Sequence, residues 1–390
     1  MSYVQSIFDT LHKIPEGGFE EIETSALLAK ELYKMGYDVQ TGVAKTGIIA
    51  TLDSSKPGPV LGVRADMDAL RHEVNGKVEY RHTCGHDAHS AMLLAAAKTL
   101  MEEGIERGKL LLIFQPAEEI LGGARSMVES GKLKELTDIV GIHIRPVQEC
   151  RVGEATSALW HAAAAPVSIH IQGLMSHGAR PHLGINAAET AVLIANAIKM
   201  IEADPRIPYS IKVTKINTGE GAGNAIPDSA SMYLDVRCQD NDEMEKIIEK
   251  LKDAIEHAAK ATGAKVEYNI AFKPGATYDP EVMQINAKAI RDVLGDEGLL
   301  PDIVTPGSED FHEFTRNLGI RAGYIGLGAG ATPGLHHPDM TFDHQALDYG
   351  QLILEQVIRY YLSEPFGEID IVSKRHPMHS ATAFDGPKCT

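Results

Sequence analysis

The chain has 390 residues, too many for one ordinary compact core, so its length predicts two structural units. Apolar residues make up 44% and charged residues 23%, close to the average of a soluble globular protein. A formal net charge of -17 argues against a nucleic-acid binder, which needs a basic face to meet phosphates, and no apolar run approaches the length of a bilayer span. Neither a nucleic-acid nor a membrane partner is expected.

The opening residues, MSYVQSIFDTLHKIPEGG, lack the charged, apolar and small-residue sections of a secretory signal. Cys84, Cys150, Cys238 and Cys389 lie far apart with no Cys-x-x-Cys pair, which predicts a reduced, cytoplasmic setting. Residues 20–36 place apolar side chains at helical spacing and stop at Gly36. Four apolar runs then read as strands: GIIATL at 47–52, PVLGVRA at 59–65, KLLLIFQ at 109–115 and DIVGIHI at 138–144. They are apolar on both faces, as strands covered by helices on each side are. A rather apolar helix at 88–104 lies between the second and third. This alternation implies an α/β layer architecture.

The pattern changes near residue 163. PVSIHIQG, a helix at 185–203, the strands YSIKVTKINTG and SASMYLDVRCQ, the amphipathic helix EMEKIIEKLKDAIEHAAKATG and the strand AKVEYNIAFKP follow in turn. The order β-α-β-β-α-β is that of a ferredoxin-like unit. The expected organisation is therefore a larger α/β domain from 1–162 and 276–365, interrupted by a smaller one at 163–275. Residues 366–390 have no periodicity and read as an irregular extension.

Ligand-type residues gather where the apolar strands end. His82-Thr83-Cys84-Gly85-His86-Asp87-Ala88-His89 packs three histidines and a cysteine into one turn-like segment, and thiolate and imidazole are the usual ligands of zinc-like ions. Glu118 and Glu119 follow the strand KLLLIFQ, where Pro116 blocks the ladder. If extended, they point to opposite sides, so one carboxylate faces a metal and the other a substrate. Metal-assisted hydrolysis needs that division: a Lewis acid that lowers the pKa of water to about 7, and a base for its proton. His143 closes another strand, and Asp66 and Asp68 end a third, where carboxylates orient ligand imidazoles. His336 and His337 share a Gly/Pro loop. In the inserted unit, His177, Arg180, His182, Asn224 and Arg237 offer groups suited to a carboxylate or an oxyanion. The segment Gly307 to Phe311, GSEDF, is a further candidate for the cleft lining.

Together, RADMDAL, HTCGHDAH, FQPAEE, GIHI, SHGARPH, NAIPD, GSEDF and LHHPDMTFD resemble, in order, the aminoacylase/carboxypeptidase metallohydrolases of peptidase family M-twenty. The nearest branch holds hippurate hydrolases, N-acyl-amino-acid amidohydrolases and plant auxin-conjugate hydrolases. The resemblance spans about residues 8–362. It implies a metallopeptidase (phosphorylase/hydrolase-like) α/β domain with two divalent metal ions (zinc, manganese or cobalt) and a smaller lid that often forms a homodimer contact. Carried over, the ligands are Cys84, His86, Glu119, His143 and His336. His336 is preferred to His337 because relatives place the ligand seven residues before the counterpart of Asp343. Glu118 is the general base and proton donor to the leaving amine. His177 polarises the scissile carbonyl, often from the partner subunit, while Asn224 and Arg237 hold the substrate carboxylate. The implied activity is hydrolysis of the amide bond in small N-acyl amino acids. Two departures stand out. Arg71 replaces a proline common in relatives, and the stretch from there to His82 is short. Both bear on substrate preference. A non-catalytic metal scaffold or sensor is the alternative, but it has no use for Glu118. A zinc deaminase would need a Cys-x-x-Cys that the chain lacks.

Overall fold

The computed structural model describes residues 1–219 and 221–363; the extension expected at 366–390 lies outside the described residues. Its main sheet has eight strands. From one edge they are Asp38–Val43, Gly47–Asp53, Lys109–Gln115, Val60–Asp66, Asp138–Pro146, Arg321–Ala331, Ala155–Thr156 and Leu299–Leu300. The four long strands from Lys109–Gln115 to Arg321–Ala331 are mutually parallel. All four apolar runs picked out in the sequence are therefore strands of one sheet.

Alternate side chains explain why these runs are apolar on both faces. Leu110, Leu112 and Phe114 pack in the core that includes Met92 and Leu93 of the helix His86–Glu103. Leu111 and Ile113 point the other way, into a core with Met127 and Phe314. The helix His86–Glu103 is almost wholly buried, which accounts for its lack of a polar face. Residues 20–36 form the helix Ile22–Met35, where the Glu16 carboxylate accepts the N–H groups of Ile22, Glu23 and Thr24 at 2.9–3.0 Å. Gly36, at φ +98°, ends it.

A second, antiparallel sheet sets Tyr209–Asn217, Ser229–Cys238, Val167–Gln172 and Lys265–Ile270 side by side, with Ala163–Ala164 on Ser229–Cys238. The helices Ala187–Ile198 and Asn241–Thr262 pack on it, and Ile169, Ile171, Ile194, Leu234 and Leu251 belong to a separate core there. The first helix is shorter than the expected 185–203. Asn186 starts it by accepting from the Ala188 and Glu189 amides. Among the described residues, no helix is long and apolar enough to cross a membrane.

The parallel strands of the main sheet fix the site. Their carboxyl ends carry the chain into Asp66 and Asp68, into Pro116 to Glu119, and through His143. Crevices at such ends are where open α/β sheets bind ligands.

Candidate metal centre

Gly85 is the local device that turns Cys84 and His86 inward. Its φ of +89° suits glycine, and a Cβ there would lie 2.3 Å from Ile144 Cδ1. The helix beginning at His86 then sets that imidazole rigidly beneath the strand ends. Cys84 Sγ lies 3.4 Å from His143 Nε2 and 3.3 Å from His336 Nε2. His86 Nε2 is 3.7 Å from Glu119 Oε1 and 3.9 Å from Glu118 Oε2, while His336 Nε2 is 3.7 Å from Glu119 Oε2. Donor atoms within 4.8 Å of one another form, among the described residues, the groups Cys84, His86, His143; Cys84, Glu119, His336; His86, Glu118, Glu119; Asp66, His86, His89; and Glu118, Glu309, Asp310. Cys84, His86, Glu119, His143 and His336, distant in sequence, thus converge. His337 does not join these groups.

Supporting contacts orient the donors. His143 Nδ1 faces the Ile144 carbonyl at 2.6 Å, which leaves Nε2 for the cluster. His336, at φ +66°, is tied by its N–H to the Thr83 carbonyl at 2.8 Å, so its loop is pinned to the HTCGH segment. Asp68 does most of the positioning. Its carboxylate meets His86 Nδ1 at 3.2 Å and accepts the amides of Glu118 and Glu119 at 3.1 and 3.0 Å. Asp66 instead meets His89 Nδ1 at 2.7 Å, and His89 Nε2 accepts the Ile144 amide at 3.0 Å. Both nitrogens of His89 are thus used, so it braces the strand carrying His143. His82 is buried and belongs to none of these groups; its ring lies 6.3 Å from that of His12.

The glutamates sit in a turn, not in the extended backbone that the sequence suggested. Ala117 and Leu121 bracket them at φ +54° and +51°. Their carboxylates therefore do not alternate as strand neighbours would. Both approach the same atom, His86 Nε2.

Crowding of buried charge shows in the proton affinities. Burial, then the charges of Glu309 and Glu119, raises Glu118 well above the usual carboxylate range. Burial likewise lifts Glu119 to about 7, against an opposing pull from His86. Cys84 is pushed well up by burial and by Glu119, and His143 well down by burial and by His89. His86 Nε2 and Glu119 Oε1 are buried without a hydrogen-bond partner. Unpaired buried atoms of this kind are costly unless something else satisfies them. Sulfur, nitrogen and oxygen donors at this spacing fit divalent metal cations.

A network that the sequence did not disclose lies beneath. Arg64, fully buried, donates to Gln115 (2.8 Å), Asp66 (2.5 Å), Tyr324 (3.1 Å), Glu309 (2.9 Å) and Asp310 (3.2 Å). Glu309 and Asp310 form a further group with Glu118, which makes GSEDF part of the floor. One available signal was a lone arginine in the apolar run PVLGVRA.

The inserted unit contributes less directly. Arg237 Nη1 donates to Ser308 Oγ at 3.0 Å, beside Glu309. His177 and Asn224 lie together, since the strand Ser176–His177 pairs with Ala225–Ile226 and the Gly178 amide donates to the Asn224 carbonyl. Both are exposed, and neither belongs to the donor groups. Arg71 lies in the first strand of a partly exposed hairpin, Leu70–Val74 with Lys77–Arg81, and His82 follows that hairpin directly. Arg81 anchors it to the Pro338 carbonyl at 2.8 Å, next to the loop of His336.

The family profile of Peptidase family M20/M25/M40 matches residues 62–360. The chain belongs to that family. Among M20/M25/M40 relatives, it is 32% identical over 373 residues to IAA-amino acid hydrolase ILR1-like 2 of Arabidopsis thaliana, covering 91% of this chain and 84% of that one. It is 30% identical over 306 residues to hippurate hydrolase of Campylobacter jejuni, covering 75% and 79%. A dinuclear metal-binding peptidase of Bacillus subtilis superposes with a TM-score of 0.77 at 27% identity, covering 92% and 97%. An M20 protein with these donors is a metal-dependent hydrolase of the amidohydrolase or peptidase type.

Proposed function

We propose that this enzyme hydrolyses the amide bond of small N-acyl amino acids or closely related peptides, with Glu118 as general base. The observation that carries it is a spare carboxylate. Glu118 shares a turn with Glu119 and lies beside His86, and it is the glutamate of the pair outside the proposed ligand set of Cys84, His86, Glu119, His143 and His336. Two divalent cations held by Cys84, His86, Glu119, His143 and His336 would supply Lewis acidity and lower the pKa of water to about 7. Glu118, whose proton affinity is raised by burial, takes the proton from the attacking water and returns it to the departing nitrogen.

Arg237 and Asn224 hold the substrate carboxylate, and His177 polarises the carbonyl. The exposure of His177 supports a role in which residues 163–275 act as a lid, either closing or presenting this residue to a second copy in a homodimer. Buried, free Cys84, Cys150 and Cys238 support a cytoplasmic setting.

Release of free amine from a panel of N-acyl amino acids, with added manganese, zinc or cobalt, tests this reading. Metal-dependent turnover of at least one member is expected. Fully metal-loaded protein inert toward every acylated compound would contradict it.

Metal uptake should depend on pH in a defined direction. Folded, metal-free protein keeps a proton on Glu119 up to about 7, whereas an unfolded carboxyl releases it near 4.5. That proton must leave before the carboxylate can ligate. Manganese affinity, measured calorimetrically, is expected to rise about tenfold per pH unit up to about 7 from this group alone. In the same window, metal-free protein should lose stability as pH rises. Affinity independent of pH between 5 and 7 would count against Glu119 as a ligand.

A further inference from the structure

The turn holding Glu118 and Glu119 is strained at both ends, since Ala117 and Leu121 adopt left-handed backbone at φ +54° and +51°. Non-glycine residues keep such angles only where their surroundings over-determine them. Each strained residue is held by one charged side chain from a distant element. The Ala117 amide donates to Glu21 Oε1 at 2.8 Å, and Glu21 is fully buried. The Leu121 carbonyl accepts from the Lys273 ammonium.

Lys273 lies where the chain leaves the second sheet for the first. It pairs with Ala164, exchanging N–H···O bonds of 2.7 and 3.0 Å, and Ala164 pairs on its other side with Arg237. Residues opposed across neighbouring strands project to the same face, so Arg237 and Lys273 point the same way. One reaches Ser308 beside Glu309, and the other reaches the glutamate turn. The two crossings are packed tightly against each other. A Cβ on Gly275 would lie 2.5 Å from the Ala163 nitrogen.

We propose that Lys273 is a positioning residue that couples the placement of the second sheet to the geometry of the turn bearing Glu118 and Glu119. The inference rests on the catalytic and ligand roles proposed for those glutamates. When the second sheet sits as it does here, the ammonium fixes the far end of the turn. When the sheet moves, that anchor moves with it. Glu21 holds the near end throughout, so the carboxylates shift rather than unfold.

The test compares wild type, Lys273→Met and Lys273→Arg as full-length protein. Amide hydrogen exchange over residues 117–123 is measured without metal, followed by titration with manganese alone and by kcat and KM. Lys273→Met should speed exchange by about tenfold, weaken manganese binding several-fold and lower kcat by about tenfold, with KM little changed; Lys273→Arg should restore all three. Unchanged exchange in Lys273→Met overturns the coupling. Faster exchange with wild-type manganese affinity and kcat overturns the positioning role. If wild type proves inert, the functional reading fails, and the exchange comparison still decides the coupling.

Discussion

Glu118→Gln is expected to bind divalent metal as tightly as wild type and to lose turnover by about 10²- to 10⁴-fold. The amide keeps the shape of the side chain, and the backbone N–H that anchors residue 118 to Asp68 at 3.1 Å is untouched. The five donors are therefore left in place. What disappears is the group that accepts and returns a proton. Because that loss falls on chemistry, kcat should drop with little change in KM. Metal titration and steady-state kinetics on the same preparation check both halves. A variant with near-normal turnover would remove Glu118 from the role of base.

Arg64→Met should destabilise the fold by about 3–5 kcal/mol, the usual cost of leaving buried charges unpaired. The methionine fills similar space in the apolar sheet, so packing changes little. Asp66, Glu309 and Asp310 all lose a cationic neighbour within 3.2 Å, in a region where burial already lifts Asp310 to about 8. The loss should be larger at pH 9 than at pH 6. A raised carboxyl is protonated at the lower pH and carries less uncompensated charge there. Denaturant unfolding of metal-free protein at both pH values gives the number. A loss below about 1 kcal/mol would mean that the carboxylates find other partners.

These two residues mark how far the sequence could be read. Glu118 was visible because it follows an apolar strand broken by Pro116, and strand ends in α/β sheets gather chemistry. Cys84 and His86 stood out as part of a histidine and cysteine cluster just before an apolar helix, His143 as a histidine late in an apolar strand, and His336 as one of two histidines in a Gly/Pro loop. The strands themselves were legible because burial on both faces leaves an uninterrupted apolar run. Arg64 was not read as a network centre. Apart from neighbouring Asp66, its partners arrive from residues 115, 309, 310 and 324, and nothing local in PVLGVRA indicates them. Backbone conformation was also out of reach. The turn at 117–121 depends on left-handed angles at an alanine and a leucine, residues whose preferences argue against them. Only the distant anchors Glu21, Asp68 and Lys273 make that turn understandable.

Crystals soaked in manganese and examined by anomalous diffraction test the central claim most directly. Two peaks are expected, both enclosed by side chains from the set Cys84, His86, Glu119, His143 and His336, with Glu118 alongside. Peaks confined to surface carboxylates, or none within reach of Cys84 in protein that hydrolyses acylated substrates, would contradict the account.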